Sequence, residues 1–217
     1  RSAGFHALGI STASANNVIV ITTSGTAVAN LLPSAVEADR SCINILYVTA
    51  DRPLRLKNCG ANQTVNQEEF LSSACKLSLN TNLNGLHQTS NSEIKNLIGL
   101  ISKENLFKPG PIHLNIPFEK PLLISNKNKN KALEIFDKEY VIKNSGFSGN
   151  KIKNEACKVL DKILKQINLD CSGLIIVGPY RGSANDLLDF NKSLEMIQNL
   201  TGWPVFADPV SGVNSSL

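Results

Sequence analysis

Arg52 with its neighbour Asp51, the amide pair Asn62-Gln63, and the turn Ser24-Gly25-Thr26 are the positions best equipped for chemistry. A guanidinium presents a planar fork of donors that suits a carboxylate or phosphate. Beside Asp51 it equally suits a local ion pair. Asn62 and Gln63 follow Gly60-Ala61; their amides can bind a ligand or simply form a turn. Gly25 permits close backbone approach by a ligand, and the first helical N–H groups face outward there. A Ser or Thr before a helix is also an ordinary N-cap. Neither G-x-x-x-x-G-K-[ST] nor G-x-G-x-x-G occurs, so neither phosphate-binding signature is present.

The elements around these strings read as alternating helices and strands. Residues 1–16 predict a helix with Ala3, Ala7, Leu8 and Ile10 apolar. Val18–Ile21 is a short apolar strand of the kind buried on both faces. Ser24-Gly25-Thr26 opens a helix to about Asp39, which Pro33 should kink or restart at Ser34. Ile43–Thr49 reads as a second buried strand, Gln67–Ser73 as a short helix and Lys76–Leu79 as a strand. Ile94, Leu97, Ile98 and Ile101 have helical spacing. Ile112–Ile116 is a further strand, ended by Pro117. From 119 to 149 periodicity fails and a linker is expected, with a short strand at Tyr140–Ile142. Helical stripes then run from Ala156 to Ile167 and from Leu187 to Leu200, each followed by a strand, Gly173–Val177 and Pro204–Ala207. This order implies an α/β fold with parallel sheets, helices on both faces and loops gathered at the strand carboxyl ends. Two strands in the last 68 or so residues make a marginal unit. The second domain is therefore expected to be truncated, and the uncapped helix at Arg1 implies the same for the first.

Composition narrows the function classes. The chain has 217 residues, 42% hydrophobic and 18% charged, with a net charge of +4. Lys127, Lys129, Lys131 and the lysines up to Lys165 lie in Asn/Lys-rich text without interleaved aromatics. That pattern reads as a solvated face, not a nucleic-acid surface. Five cysteines (42, 59, 75, 157, 171) include no C-x-x-C pair, which fits a reducing, cytoplasmic compartment. Cys42 and Cys75 flank apolar runs and read as buried small hydrophobes. No run approaches the ~20 apolar residues of a membrane span.

Read in order, the strings resemble the thiamine-diphosphate-dependent enzymes. The matching text is Arg1–Gly9, Thr23–Ala27 with Asn30 and Pro33, Thr49–Pro53, Gly60–Gln63, Gly110–Phe118, Gly202–Val205 and Asp208-Pro209. More closely, it is similar to the carboligases of menaquinone and phylloquinone biosynthesis. The resemblance implies a three-layer, parallel-sheet pyrimidine-binding domain over 1–118, a linker over 119–149, and the start of a central Rossmann-like domain over 150–217. It implies a transferase that decarboxylates 2-oxoglutarate on thiamine diphosphate and adds the resulting carbanion to isochorismate. The cofactor's Mg2+ or Mn2+ ligands would lie outside this chain, and the family's catalytic glutamate would directly precede Arg1. Ser24, Gly25 and Thr26 would line the pyrimidine pocket. Arg52 would bind a substrate carboxylate, and Asn62 and Gln63 the cofactor-bound intermediate. The family's subunit-shared site implies a homodimer or homotetramer, and this chain alone is expected to be inactive.

His6 and His113, set in helix and strand patterns, read as structural; His87 lies in a loop and is assigned no role. Tyr180-Arg181-Gly182-Ser183 reads as cap and turn. One rival reading is an acetolactate-synthase-like decarboxylase, although those relatives usually carry Phe-Gln and Ser-Gly-Pro-Gly where this chain has Asn62-Gln63 and Ser24–Ala27. The other rival is a non-catalytic nucleotide-binding or subunit-interaction module.

Overall fold

A computed structural model describes residues 1–14, 17–107, 109–123, 171–180 and 186–214, with residues 125, 126, 129, 130 and 133. The expected strand at Tyr140–Ile142, the stripe from Ala156 to Ile167 and the Arg181–Ser183 turn lie outside the described residues. Two compact units result. The first is built on Arg1–Leu122; the second holds Leu187–Leu217 and the strand Ile175–Val177.

The first unit runs α1 (Ser2–Ser14), β1 (Val18–Thr22), α2 (Thr26–Ala29), α3 (Leu32–Arg40), β2 (Ile45–Asp51), β3 (Leu77–Asn80), α4 (Asn91–Phe107) and β4 (Ile112–Pro117). Its sheet has the order β1-β2-β4-β3, with every pairing parallel. Parallel pairing of short β-branched strands joined through helices is what the sequence rhythm requires. One face of β2 reads Ile45, Tyr47, Thr49, Asp51, all buried. The face thus turns from apolar to acidic as the strand nears its carboxyl end. Tyr47 and Ile45 pack with Leu31, Ala35, Ala38 and Leu71 in the core. Burial pushes the Tyr47 phenol up to about 12, against the opposing pull of its hydrogen bond with Ser34.

Several expectations are corrected. β1 is an edge strand, so Ile19 and Ile21 are exposed (58% and 77%) and only Val20 is buried. The helix after the turn breaks into α2 and α3. Pro33, which lacks an N–H, sits in the first turn of α3, and the restart falls at Leu32. β2 starts at Ile45, because Ile43 N–H donates to Ala38 O and Cys42 N–H to Asp39 O, closing α3. Cys42 takes the left-handed position of that C-cap at φ 53° and is exposed, not a core residue. Cys75 is half-buried, and its thiol is pushed up to about 12 by burial. Gln67–Ser73 yields only a 3₁₀ turn at Gln67–Glu69. Pro117 is the last residue of β4 and does not lie beyond it. His6 is exposed on α1.

The second unit contains β5 (Ile175–Val177), α5 (Leu187–Thr201) and β6 (Val205–Ala207), with β5 and β6 parallel. Of the α5 stripe, Leu194 is buried, whereas Ile197 and Leu200 are exposed. Asn191 bridges Leu187 O, Gly212 O and Asn214 N–H, fixing the loop after β6 against α5.

Candidate functional site

The site is built where β1, β2 and β4 end side by side. Register sets Thr22, Thr49, Asn115 and Asn80 abreast across the sheet. β1 leads into Thr23-Ser24-Gly25, where Gly25 has φ 84° and precedes α2. A Cβ on Gly25 would stand 2.8 Å from Gln63 Cγ, so only glycine fits this seat. Ser24 is not the N-cap: its hydroxyl donates to Gln63 O at 3.3 Å. Gln63 answers by donating from Nε2 to Ser24 O (2.8 Å) and Thr23 Oγ1 (3.2 Å). The amide loop and the glycine turn, 40 residues apart in sequence, therefore close on one another.

Asp51 does not pair with its neighbour's guanidinium. Its Oδ1 accepts the Arg52 backbone N–H at 2.7 Å. Its Oδ2 accepts from Lys57 Nζ at 2.9 Å and from Asn115 Nδ2 at 2.9 Å. The Lys57 ammonium, itself buried, also donates to Glu68. Burial alone would lower the Lys57 pKa, but its bonds to Glu68 and Asp51 outweigh that and raise it. The half-buried Arg52 guanidinium has no ion pair or hydrogen bond among the described residues. Arg55, three residues on, is instead held by Glu119 in a two-pronged pair, which holds the Glu119 carboxyl down to about 2. Of the two arginines in this loop, only Arg52 is available to a ligand anion.

Sequence reasoning missed the polar group beneath the rim. Gln67, fully buried, accepts Gly25 N–H at Oε1 (2.7 Å). Its Nε2 donates to Ala50 O (2.8 Å) and Asn115 Oδ1 (2.9 Å). Asn115 Oδ1 also accepts the Thr49 hydroxyl at 3.0 Å. Thr49 has one proton and gives it to Asn115, so at 2.8 Å it accepts from His113 Nε2–H. This fixes the His113 tautomer. Burial lowers the His113 pKa to about 4, with the Glu68 charge opposing. The buried Asp, Thr, His and Asn side chains were signalled only by their placement on β2 and β4, where apolar residues are the default, and Gln67 in its 3₁₀ turn carried no such signal.

Of the expected residues, Ser24 and Gly25 are buried, while Thr26, Asn62 and Gln63 are exposed. The Asn62 side-chain amide has no partner among the described residues. No group of three His, Cys, Asp or Glu side chains among the described residues is placed to hold a metal.

Residues 1–71, which carry all of these loops, match the thiamine pyrophosphate enzyme N-terminal TPP binding domain. Over these residues the chain is similar to the thiamine-diphosphate-dependent enzymes. Over its full 217 residues it is 64% identical to a 2-succinyl-5-enolpyruvyl-6-hydroxy-3-cyclohexene-1-carboxylate synthase of Prochlorococcus marinus (strain MIT 9215). Identity is 59% to the synthase of strain MIT 9515, also over all 217 residues. The synthase of strain NATL2A is 48% identical over 220 aligned residues, or 99% of this chain. The chain spans 37%, 37% and 36% of these relatives' lengths. These loops leave the carboxyl ends of a parallel sheet, where α/β proteins commonly bind their ligands. No helix among the described residues is long and apolar enough to cross a membrane.

Proposed function

We propose that the protein carrying this chain is a thiamine-diphosphate-dependent carboligase. It decarboxylates 2-oxoglutarate and joins the succinyl unit to isochorismate, giving 2-succinyl-5-enolpyruvyl-6-hydroxy-3-cyclohexene-1-carboxylate, with Mg2+ or Mn2+. The observation that carries this reading is the whole-chain identity to synthases of that name.

The residues present fit the cofactor and the intermediate it carries: Thr26 offers an exposed hydroxyl beside the glycine turn, and Asn62 and Gln63 offer exposed amides toward the intermediate. When bound, thiamine diphosphate supplies the nucleophilic carbon and the electron sink. The chain's own residues orient and neutralise. Arg52 binds a carboxylate of a dianionic substrate, as a guanidinium without a partner among the described residues can. Asn62 donates to a substrate oxygen. Gln63 spends its NH2 on the glycine turn, so toward a ligand it offers Oε1. The metal ligands, and the glutamate that would hydrogen-bond the aminopyrimidine ring, are assigned to parts of the protein outside this chain. The reading extends to a pyrimidine-binding domain over 1–118, a cytoplasmic enzyme and a homodimeric or homotetrameric assembly.

Titration of the full-length protein with thiamine diphosphate and Mg2+ tests the cofactor assignment. Saturable binding is expected; its absence removes the assignment.

A further inference from the structure

Gln67 lies outside every motif that led to the proposed site, yet its side chain bonds three separate segments of that site's framework. Its carboxamide is completely used. One oxygen accepts the Gly25 N–H, and both N–H groups are donated, to Ala50 O and to Asn115 Oδ1. The orientation is unique. A flipped amide would set its NH2 against the Gly25 N–H and its oxygen against two other oxygens. The three partners lie on the turn after β1, on β2 one residue before Asp51, and on β4. From Gly25 the bonds continue through Gln67 and Asn115 to Asp51, and from Asp51 Oδ1 to the Arg52 N–H. Each step is between 2.7 and 2.9 Å.

This chain of bonds connects the two halves of the proposed site. The Gly25 N–H opens α2 without a side-chain cap, and Ser24 is turned away toward Gln63. Gln67 is thus the partner of that buried N–H among the described residues. A buried donor left unpaired costs far more than an ordinary hydrogen bond contributes, so a turn without Gln67 would rotate to regain a partner. That rotation would move Thr26 and change its spacing from Arg52.

We propose that Gln67 is a positioning residue that holds the Ser24–Thr26 turn and the Arg52 backbone at a fixed separation. It touches neither cofactor nor substrate; it sets the distance between the pyrimidine wall and the carboxylate-binding guanidinium. The proposal rests on the carboligase reading for what those two groups bind.

The test uses the full-length protein and the variants Gln67→Met and Gln67→Glu, with thiamine diphosphate and Mg2+ as the binding probe and 2-oxoglutarate as the kinetic one. Gln67→Met removes all three bonds. It is expected to raise both the thiamine diphosphate Kd and the 2-oxoglutarate KM by about tenfold or more. Gln67→Glu keeps an acceptor facing Gly25 but loses both donors. It is expected to hold the cofactor Kd within about threefold of wild type while still raising the KM by about tenfold. A residue that only stabilised the fold would lower the Tm and leave Kd and KM of the folded enzyme at wild-type values; that result overturns the proposal. Should neither variant fold, amide exchange of the unliganded wild type decides: a protected Gly25 N–H supports the clamp, and a freely exchanging one overturns it. A wild type that binds no thiamine diphosphate overturns the carboligase reading instead, and the Gly25 exchange rate in Gln67→Met still reports whether Gln67 holds the turn.

Discussion

Arg52 and His113 carry the account at the level of single residues. Arg52→Ala is expected to raise the KM for 2-oxoglutarate about 10- to 100-fold, the worth of a charge-assisted hydrogen bond or two. The Tm should stay near wild type, because the Arg52 guanidinium holds nothing among the described residues. Steady-state kinetics with thermal melts reads both; an unchanged KM removes Arg52 from the site. His113 is lowered to about 4 from an ordinary 6.5. Between those values the unfolded chain binds a proton that the folded one refuses, so stability is full above about pH 6.5 and falls as pH falls toward 4. The loss is about 3 kcal/mol, and urea unfolding from pH 7 to 4 should show a shallower slope in His113→Leu. The sequence made the Arg52 position legible but not its freedom. Asp51 was as good a partner on paper, and only the fold reveals that Lys57 and Asn115 occupy it. Gln67 was illegible for the same reason: its three partners come from three separate segments.

Among the elements, the strands and their parallel pairing were readable because buried parallel strands are short, apolar and separated by helices. What could not be read was which strand lies at the edge, since edge position follows from topology and not from local pattern. Ile19 and Ile21 look like core residues in sequence and are exposed in β1. Helix α1 misleads in the opposite sense. Its buried line is Gly4, Ala7 and Ser11, small residues that give no hydrophobic stripe. Gly4 lets α1 approach α3, where an added Cβ would lie 2.2 Å from Ser34 Oγ. Gly9 on the same helix meets nothing within 4 Å. Gly4→Ala should therefore destabilise by about 1–3 kcal/mol through overpacking. Gly9→Ala should stabilise by about 0.5–1 kcal/mol through helix propensity. Urea unfolding of the two variants checks this; equal effects would remove the close α1–α3 approach.

For the whole molecule, the family was legible because the loop strings occur in a fixed order along nearly the whole chain, and identities of 59–64% to the synthases agree. The chain spans 37% of those relatives, and under the proposed carboligase reading the 217-residue chain alone is expected to show no turnover. In the proposed reading, the rim formed by the Ser24–Thr26 turn, Arg52 and the Asn62-Gln63 loop serves a 2-oxoglutarate carboligase. Its most direct test is mass-spectrometric analysis of full-length protein incubated with thiamine diphosphate, Mg2+, isochorismate, 2-oxoglutarate and pyruvate together. The succinyl adduct of isochorismate is expected, with its formation reduced in Arg52→Ala. Acetolactate in its place, or no product at all, would contradict it.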